Sequence, residues 1–229
     1  MLKRITGKLG LLEFAKDCFV RFKYPEKWQA DCDDLNSIYA QLGQGIKPDF
    51  SGANKVVLGG MGSPATIAQE SLIMKAFEKA GYRPVMWVPR GKLIRRSYAI
   101  FGVHHLVFND EYWIRISSEE ANHFLDEVNS LDDLINNEWN GARVGRFAVS
   151  SFMRATRLGT INIKNHKVQT SLRSYIKKSM AACERAKAIL DNVFPDAVTL
   201  IDRGYTPGGE LFDLCMNRDI PVYTWNAGH

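Results

Sequence analysis

Residues 55–88, KVVLGGMGSPATIAQESLIMKAFEKAGYRPVMWV, constrain the fold more than any other stretch. Lys55–Leu58 is a short apolar run with two β-branched valines, the pattern of a strand buried on both faces. Gly59, Gly60 and Gly62 follow, and they tolerate positive φ and close backbone approach. Ser63 suits an N-cap, and Pro64 suits the first helical position, where its missing N–H costs nothing. Ile67, Leu72, Ile73, Ala76, Phe77 and Ala80 recur at near-helical spacing, which predicts a helix over 63–80 with one apolar face. Gly81 is placed to end that helix, and Val85–Val88 reads as the next strand. A parallel pair joined this way takes a right-handed crossover. The chain is therefore expected to be α/β, with a mostly parallel sheet flanked by helices.

The remaining segments extend that expectation. Residues 90–101 read as a short helix and His104–Phe108 as a third strand ending at Asn109-Asp110. Neighbours on a strand point to opposite faces, so His104 and His105 are poor joint metal ligands; one core and one boundary histidine are expected. Residues 117–137 read as one helix capped by Ser117 or Ser118. Residues 140–163 look irregular, punctuated by Gly141, Gly145 and Gly159. Residues 167–193 form one long amphipathic helix. A strand at 197–201, the loop Asp202–Gly209, a helix at 210–217 and a strand at 220–225 complete the series. Residues 1–52 read as a helical extension packed on an α/β domain spanning 53–229.

Charge and cysteine usage bound the partners. The net charge of +5 and pI near 9.0 fit an anionic substrate or an anionic membrane surface, and fall short of a nucleic-acid-binding tail. Phenylalanines and lysines in the first helix are one basis for such peripheral membrane contact. Cys18, Cys32, Cys183 and Cys215 make no CxxC pair, which points to reduced core thiols rather than a metal or disulfide framework. Neither a signal-peptide core nor an apolar run of about 20 residues is present. A cytoplasmic protein is expected, with peripheral contact at the inner face of the plasma membrane as a further reading.

Two glycine loops carry the candidate chemistry. The helix N-terminus after Gly59–Ser63 offers unpaired N–H groups to phosphate, carboxylate or sugar hydroxyls; the alternative is a tight turn with no ligand. Gly60-x-Gly62-x-x-Ala65 loosely matches the dinucleotide fingerprint. The next strand, however, ends at Val88-Pro89-Arg90 with no acid for a ribose, which counts against NAD and leaves no cofactor expected in this chain. The second loop is Asp202–Gly209. Ser150, Ser151 and Arg154 form another polar group, suited to a phosphate or sugar acid, or to structural pairing with an acidic neighbour.

In order along the chain, GGMGSP with AGYRPVMWVP, then WNGARVGRFAVSSFMRAT, then PDAVTLIDRGYTPGGELFDLCMNRDIPVYTWNAGH resemble the N-terminal, Rossmann-like domain of two-domain (GT-B type) glycosyltransferases of bacterial surface and capsular polysaccharide synthesis. The resemblance spans about Lys55 to His229. It implies a domain that binds a saccharide or lipid-linked acceptor, with a nucleotide-sugar donor held by a C-terminal domain beyond His229. It places Gly60, Met61, Gly62, Ser63, Arg203, Gly204 and Tyr205 in the substrate cleft, with Arg154 from the Ser-Ser-x-x-Arg segment. Asp110, Asp202 and His229 are the candidate catalytic bases, although Asp202 equally suits a turn cap. A stand-alone saccharide- or anion-binding module, or an inactive partner subunit, is the alternative.

Overall fold

A computed structural model describes residues 33, 37, 55–60, 66–112 and 114–225. The helical extension expected over 1–52, its membrane-facing first helix and the boundary near residue 52 lie, apart from Asp33 and Ser37, outside the described residues. The chain divides into two compact units between Glu111 and Tyr112.

The first unit contains strands β1 (Lys55–Gly60), β2 (Tyr82–Val88) and β3 (Leu106–Phe108), with helices α1 (Ile67–Lys79) and α2 (Lys92–Ile100) in the connections. The strands lie in the order β3-β2-β1, all parallel, with Leu58 opposite Val85 and Val88 opposite Phe108. Val57, Leu58, Met86 and Val88 are fully buried, as expected of strands covered on both faces. Gly60 sits at φ +104, and a Cβ there would stand 2.6 Å from the Trp87 carbonyl oxygen, so glycine is required. Gly81 ends α1 at φ +85, as its position predicts.

One expectation changes in this unit, at the histidines. The described α-helix runs from Ile67 after Thr66, whose hydroxyl donates to Glu70 at 2.9 Å and closes the first turn from inside. Ser63 and Pro64 lie outside the described residues. His104 and His105 are both exposed, because β3 starts only at Leu106 and leaves them in the preceding connection.

The second unit holds α3 (Ser118–Asp126), α4 (Leu131–Asn136), α5 (Val144–Thr156), α6 (His166–Val193), α7 (Gly208–Met216) and the parallel strands β4 (Ala197–Leu200) and β5 (Val222–Thr224). The single helix expected over 117–137 is two helices. Ser117 and Glu120 form a reciprocal capping box on α3, and Ser130 caps a fresh start at α4. The segment expected to be irregular contains α5. Gly145 does not break it: a Cβ there would lie 1.8 Å from the Leu134 carbonyl oxygen, so the glycine lets α5 approach the α4 backbone.

The long helix α6 matches its periodicity. Leu172, Ile176, Met180, Cys183, Ile189 and Leu190 are buried along one stripe, packed on α5 and α7. A buried Leu or Ile contributes about 1.5–3 kcal/mol, so this stripe is a main support of the unit. Every strand pairing described in either unit is parallel and the connections are helical, which makes the fold α/β and Rossmann-like. Among the described residues no helix is long and apolar enough to cross a membrane. Cys183 and Cys215 are buried free thiols, each pushed up to about 12 by burial.

Candidate functional site

The best-developed polar site lies at the carboxyl end of β4, where ligands of parallel α/β sheets bind. Four buried residues of β4 deliver the chain to Asp202, and the loop then turns back into α7. Asp202 Oδ1 accepts the Gly204 N–H at 2.7 Å, the turn-capping geometry that its sequence context allows. The Tyr205 carbonyl accepts the Gly209 N–H at 2.8 Å. Gly209 itself is obligatory, because a Cβ would fall 2.1 Å from the Phe147 ring of α5.

Helix α5 supplies the other side of this site. Ser151 Oγ accepts the Thr206 N–H at 3.1 Å, which ties the loop to the helix. One turn on, the Arg154 guanidinium lies 4.5 Å from the Tyr205 ring centroid, and its Nη1 is 3.7 Å from Asp202 Oδ2. The Ser-Ser-x-x-Arg group and the second glycine loop thus meet. Arg154 and Asp202 keep 66% and 47% of their side-chain surface exposed, so both remain available to a ligand. Arg203 is also exposed and lies over the Phe212 ring.

Beneath the loop is a buried carboxyl that periodicity does not reveal. Glu210, in the first turn of α7, is wholly inaccessible. Its Oε1 accepts from Thr206 Oγ1 at 2.7 Å and contacts Ser179 Oγ of α6, while its Oε2 is without a partner. The Ser179 hydroxyl has one proton, and the Val144 carbonyl 2.9 Å away can only accept it. Glu210 Oε1 is a second acceptor in reach of the same proton, from Ser179 Oγ. Burial pushes that carboxyl up to about 7, against the lowering effect of its hydroxyl partners. One turn later, buried Asp213 receives Arg143 bidentately, at 3.0 Å from Nε and 2.7 Å from Nη2, together with the Arg143 backbone N–H. The signal for both acids was available in GELFD, where two carboxylates stand on an otherwise apolar turn.

The remaining candidates separate from this group. Asp110 lies in the first unit with both oxygens accepting from Arg90 Nε, at 3.0 and 2.8 Å, and Arg90 also reaches Glu111. Gly60 closes β1 in that unit; Met61, Gly62, Ser63 and His229 lie outside the described residues. A surface cavity of about 370 Å³ in the first unit, lined by Arg95, His104 and Phe108 among others, includes none of the expected site residues. Among the described residues no cluster of His, Cys, Asp or Glu could hold a metal ion. Neither a family model, nor a curated protein, nor a solved structure matches the chain.

Proposed function

We propose that this chain is the acceptor-binding half of a two-domain glycosyltransferase acting in surface polysaccharide synthesis. The observation that carries the reading is the meeting of Arg154, Asp202 and Tyr205 at the carboxyl end of β4, on a loop pinned by Ser151 and Glu210. The exposed guanidinium suits the phosphate of a lipid-linked acceptor or the carboxylate of a sugar acid. Asp202 is the favoured base among the described candidates. Its Oδ1 is occupied by the Gly204 N–H, but Oδ2 has only a loose 3.7 Å approach from Arg154 and can take the proton of an acceptor hydroxyl. Asp110, with both oxygens held by Arg90, is a structural ion pair in this reading. The acceptor oxygen would bond to the anomeric carbon as the nucleoside diphosphate leaves. The nucleotide sugar would be held by a further domain, and lipid-linked acceptors would bring the enzyme to a membrane surface.

The test is transfer by the complete gene product from a panel of radiolabelled nucleotide sugars to cell-envelope glycolipid extracts. Asp202→Asn is expected to lower kcat by about 100-fold or more, the scale of a lost general base, and Arg154→Ala to raise the acceptor KM. If no nucleotide sugar donates, yet calorimetry shows saccharide binding that Arg154→Ala removes, the stand-alone binding module is the better reading. Absence of both transfer and binding would end both.

A further inference from the structure

The chain's positive charge is concentrated in one place. Between Glu138 and Glu184 there is no Asp or Glu at all, while nine of the 30 Lys and Arg fall there. The rest of the chain, holding all 25 acidic residues, is net acidic. Three of the nine, Arg157, Lys164 and Lys167, fall where α5 ends and α6 begins. Arg157, Lys164, His166 and Lys167 are all exposed in this short span. None of them makes an ion pair among the described residues, whereas Arg143 and Arg154 elsewhere in the segment face Asp213 and Asp202.

This placement works against local stability. The first turn of α6 has no acidic residue and carries Lys167, although a helix N-terminus favours negative charge. Arg157 closes α5 in the left-handed region at φ 56, a place glycine fills at least cost. Leu158, beside it, is 44% exposed, and Ile163 is half-buried. Broken local rules with no gain inside the chain point to an outside partner.

We propose that the α5–α6 connection and the helix ends that it joins form a docking surface for an anionic lipid bilayer, with Leu158 entering the interface and Arg157, Lys164 and Lys167 meeting the headgroups. The composition favours a bilayer over other polyanions. Residues 157–167 contain no Phe, Tyr or Trp on which nucleic-acid bases could stack. Lysine, two of the three cations named, is depleted at protein–protein interfaces but typical of segments that bind acidic lipid. The surface uses neither Arg154 nor Asp202, and the proposal does not depend on glycosyl transfer.

The experiment is flotation of the complete chain with vesicles of phosphatidylcholine alone or with 30% phosphatidylglycerol. Binding to the anionic vesicles that weakens with added salt is expected. The triple variant Arg157→Glu, Lys164→Glu, Lys167→Glu should lose about 100-fold or more in partition, and Leu158→Ser several-fold. A matched variant in the first unit, Lys55→Glu, Lys79→Glu, Arg83→Glu, removes the same charge and should keep most of the binding. Circular dichroism confirms that each variant is folded. Three results would overturn the proposal: no partition into anionic vesicles, equal losses in the two triple variants, or single-stranded RNA or polyglutamate binding the surface so strongly that vesicles cannot displace it.

Discussion

The two strand–loop–helix units, β1 to α1 and β4 to α7, use the same local device to different ends. In each, a threonine four residues before a buried glutamate donates to it across the first turn: Thr66 to Glu70 at 2.9 Å and Thr206 to Glu210 at 2.7 Å. Each pair closes a helix start where the backbone N–H groups lack partners. The difference is the second oxygen. Glu70 Oε2 accepts from the buried Tyr98 phenol, whereas Glu210 Oε2 has no partner. Both carboxyls are raised, mainly by burial. In the first unit the acid is a finished structural joint. In the second it lies under an exposed polar loop, joined to it through one threonine hydroxyl.

Glycines at the two loops probe the difference at the backbone. Gly60→Ala places a Cβ against a backbone oxygen in a left-handed conformation, and about 3 kcal/mol of stability should be lost. Gly209→Ala drives a Cβ into the Phe147 ring, a side chain that can shift where a backbone oxygen cannot, so a loss of about 2 kcal/mol is expected. Urea unfolding of the two variants orders them. A greater loss at Gly209 would mean that the α5–α7 contact, rather than the β1 turn, is the more rigid.

Removing the phenol should convert the first joint into the second. Tyr98→Phe leaves Glu70 Oε2 buried without a donor, at a cost of about 2 kcal/mol near neutral pH. The remaining carboxyl should also prefer its proton more strongly, so the loss shrinks as the pH is lowered. A pH-independent loss would mean that the phenol contributes packing alone.

These acids also mark how far the sequence could be read. Strands β1, β2 and β4 and helices α1 and α6 were legible because their apolar residues recur locally, and Gly81 ends α1 where expected. Helix α5 was not, because Gly145 reads as a break although its role is contact with Leu134, and because arginines interrupt its apolar stripe. The split between α3 and α4 was hidden since Val128, Leu131 and Leu134 keep a helical period across a second cap at Ser130. At the site, Arg154, Asp202 and Tyr205 were each picked out, but their meeting depends on the packing of α5 beside the loop. Arg143 and Asp213 are 70 residues apart, and Glu210 and Ser179 are 31 apart; no local pattern encodes such pairs.

Glu210→Gln removes the charge that the second joint leaves unpartnered. The folded-state value of about 7 lies above the unfolded one of 4.5, so the native state holds its proton more tightly. Stability is then lost as the pH rises from 4.5 to about 7, and the full loss persists above that. Gln cannot ionise, and its amide oxygen can stand in for Oε1, accepting from Ser179 and Thr206. The variant should match the parent near pH 4.5 and gain on the order of 1 kcal/mol by pH 8. Thermal melts across that range check it. A variant that loses stability at every pH would mean that Glu210 is ionised, with Ser179 and Thr206 as its donors.

The smallest stability effect should fall on the residue most open to a ligand. Arg154 and Asp202 are exposed and 3.7 Å apart, so Arg154→Ala should change stability by no more than about 0.5 kcal/mol. Arg143→Ala, only one helix length away, strips a bidentate partner from buried Asp213 and should cost about 2 kcal/mol. The contrast separates an arginine that the fold uses from one that it leaves facing out. If Arg154→Ala proved as costly as Arg143→Ala, the exposed guanidinium would be holding the 202–209 loop against α5. Its charge would then belong to the fold, and the anion would have to be sought at Arg203 instead.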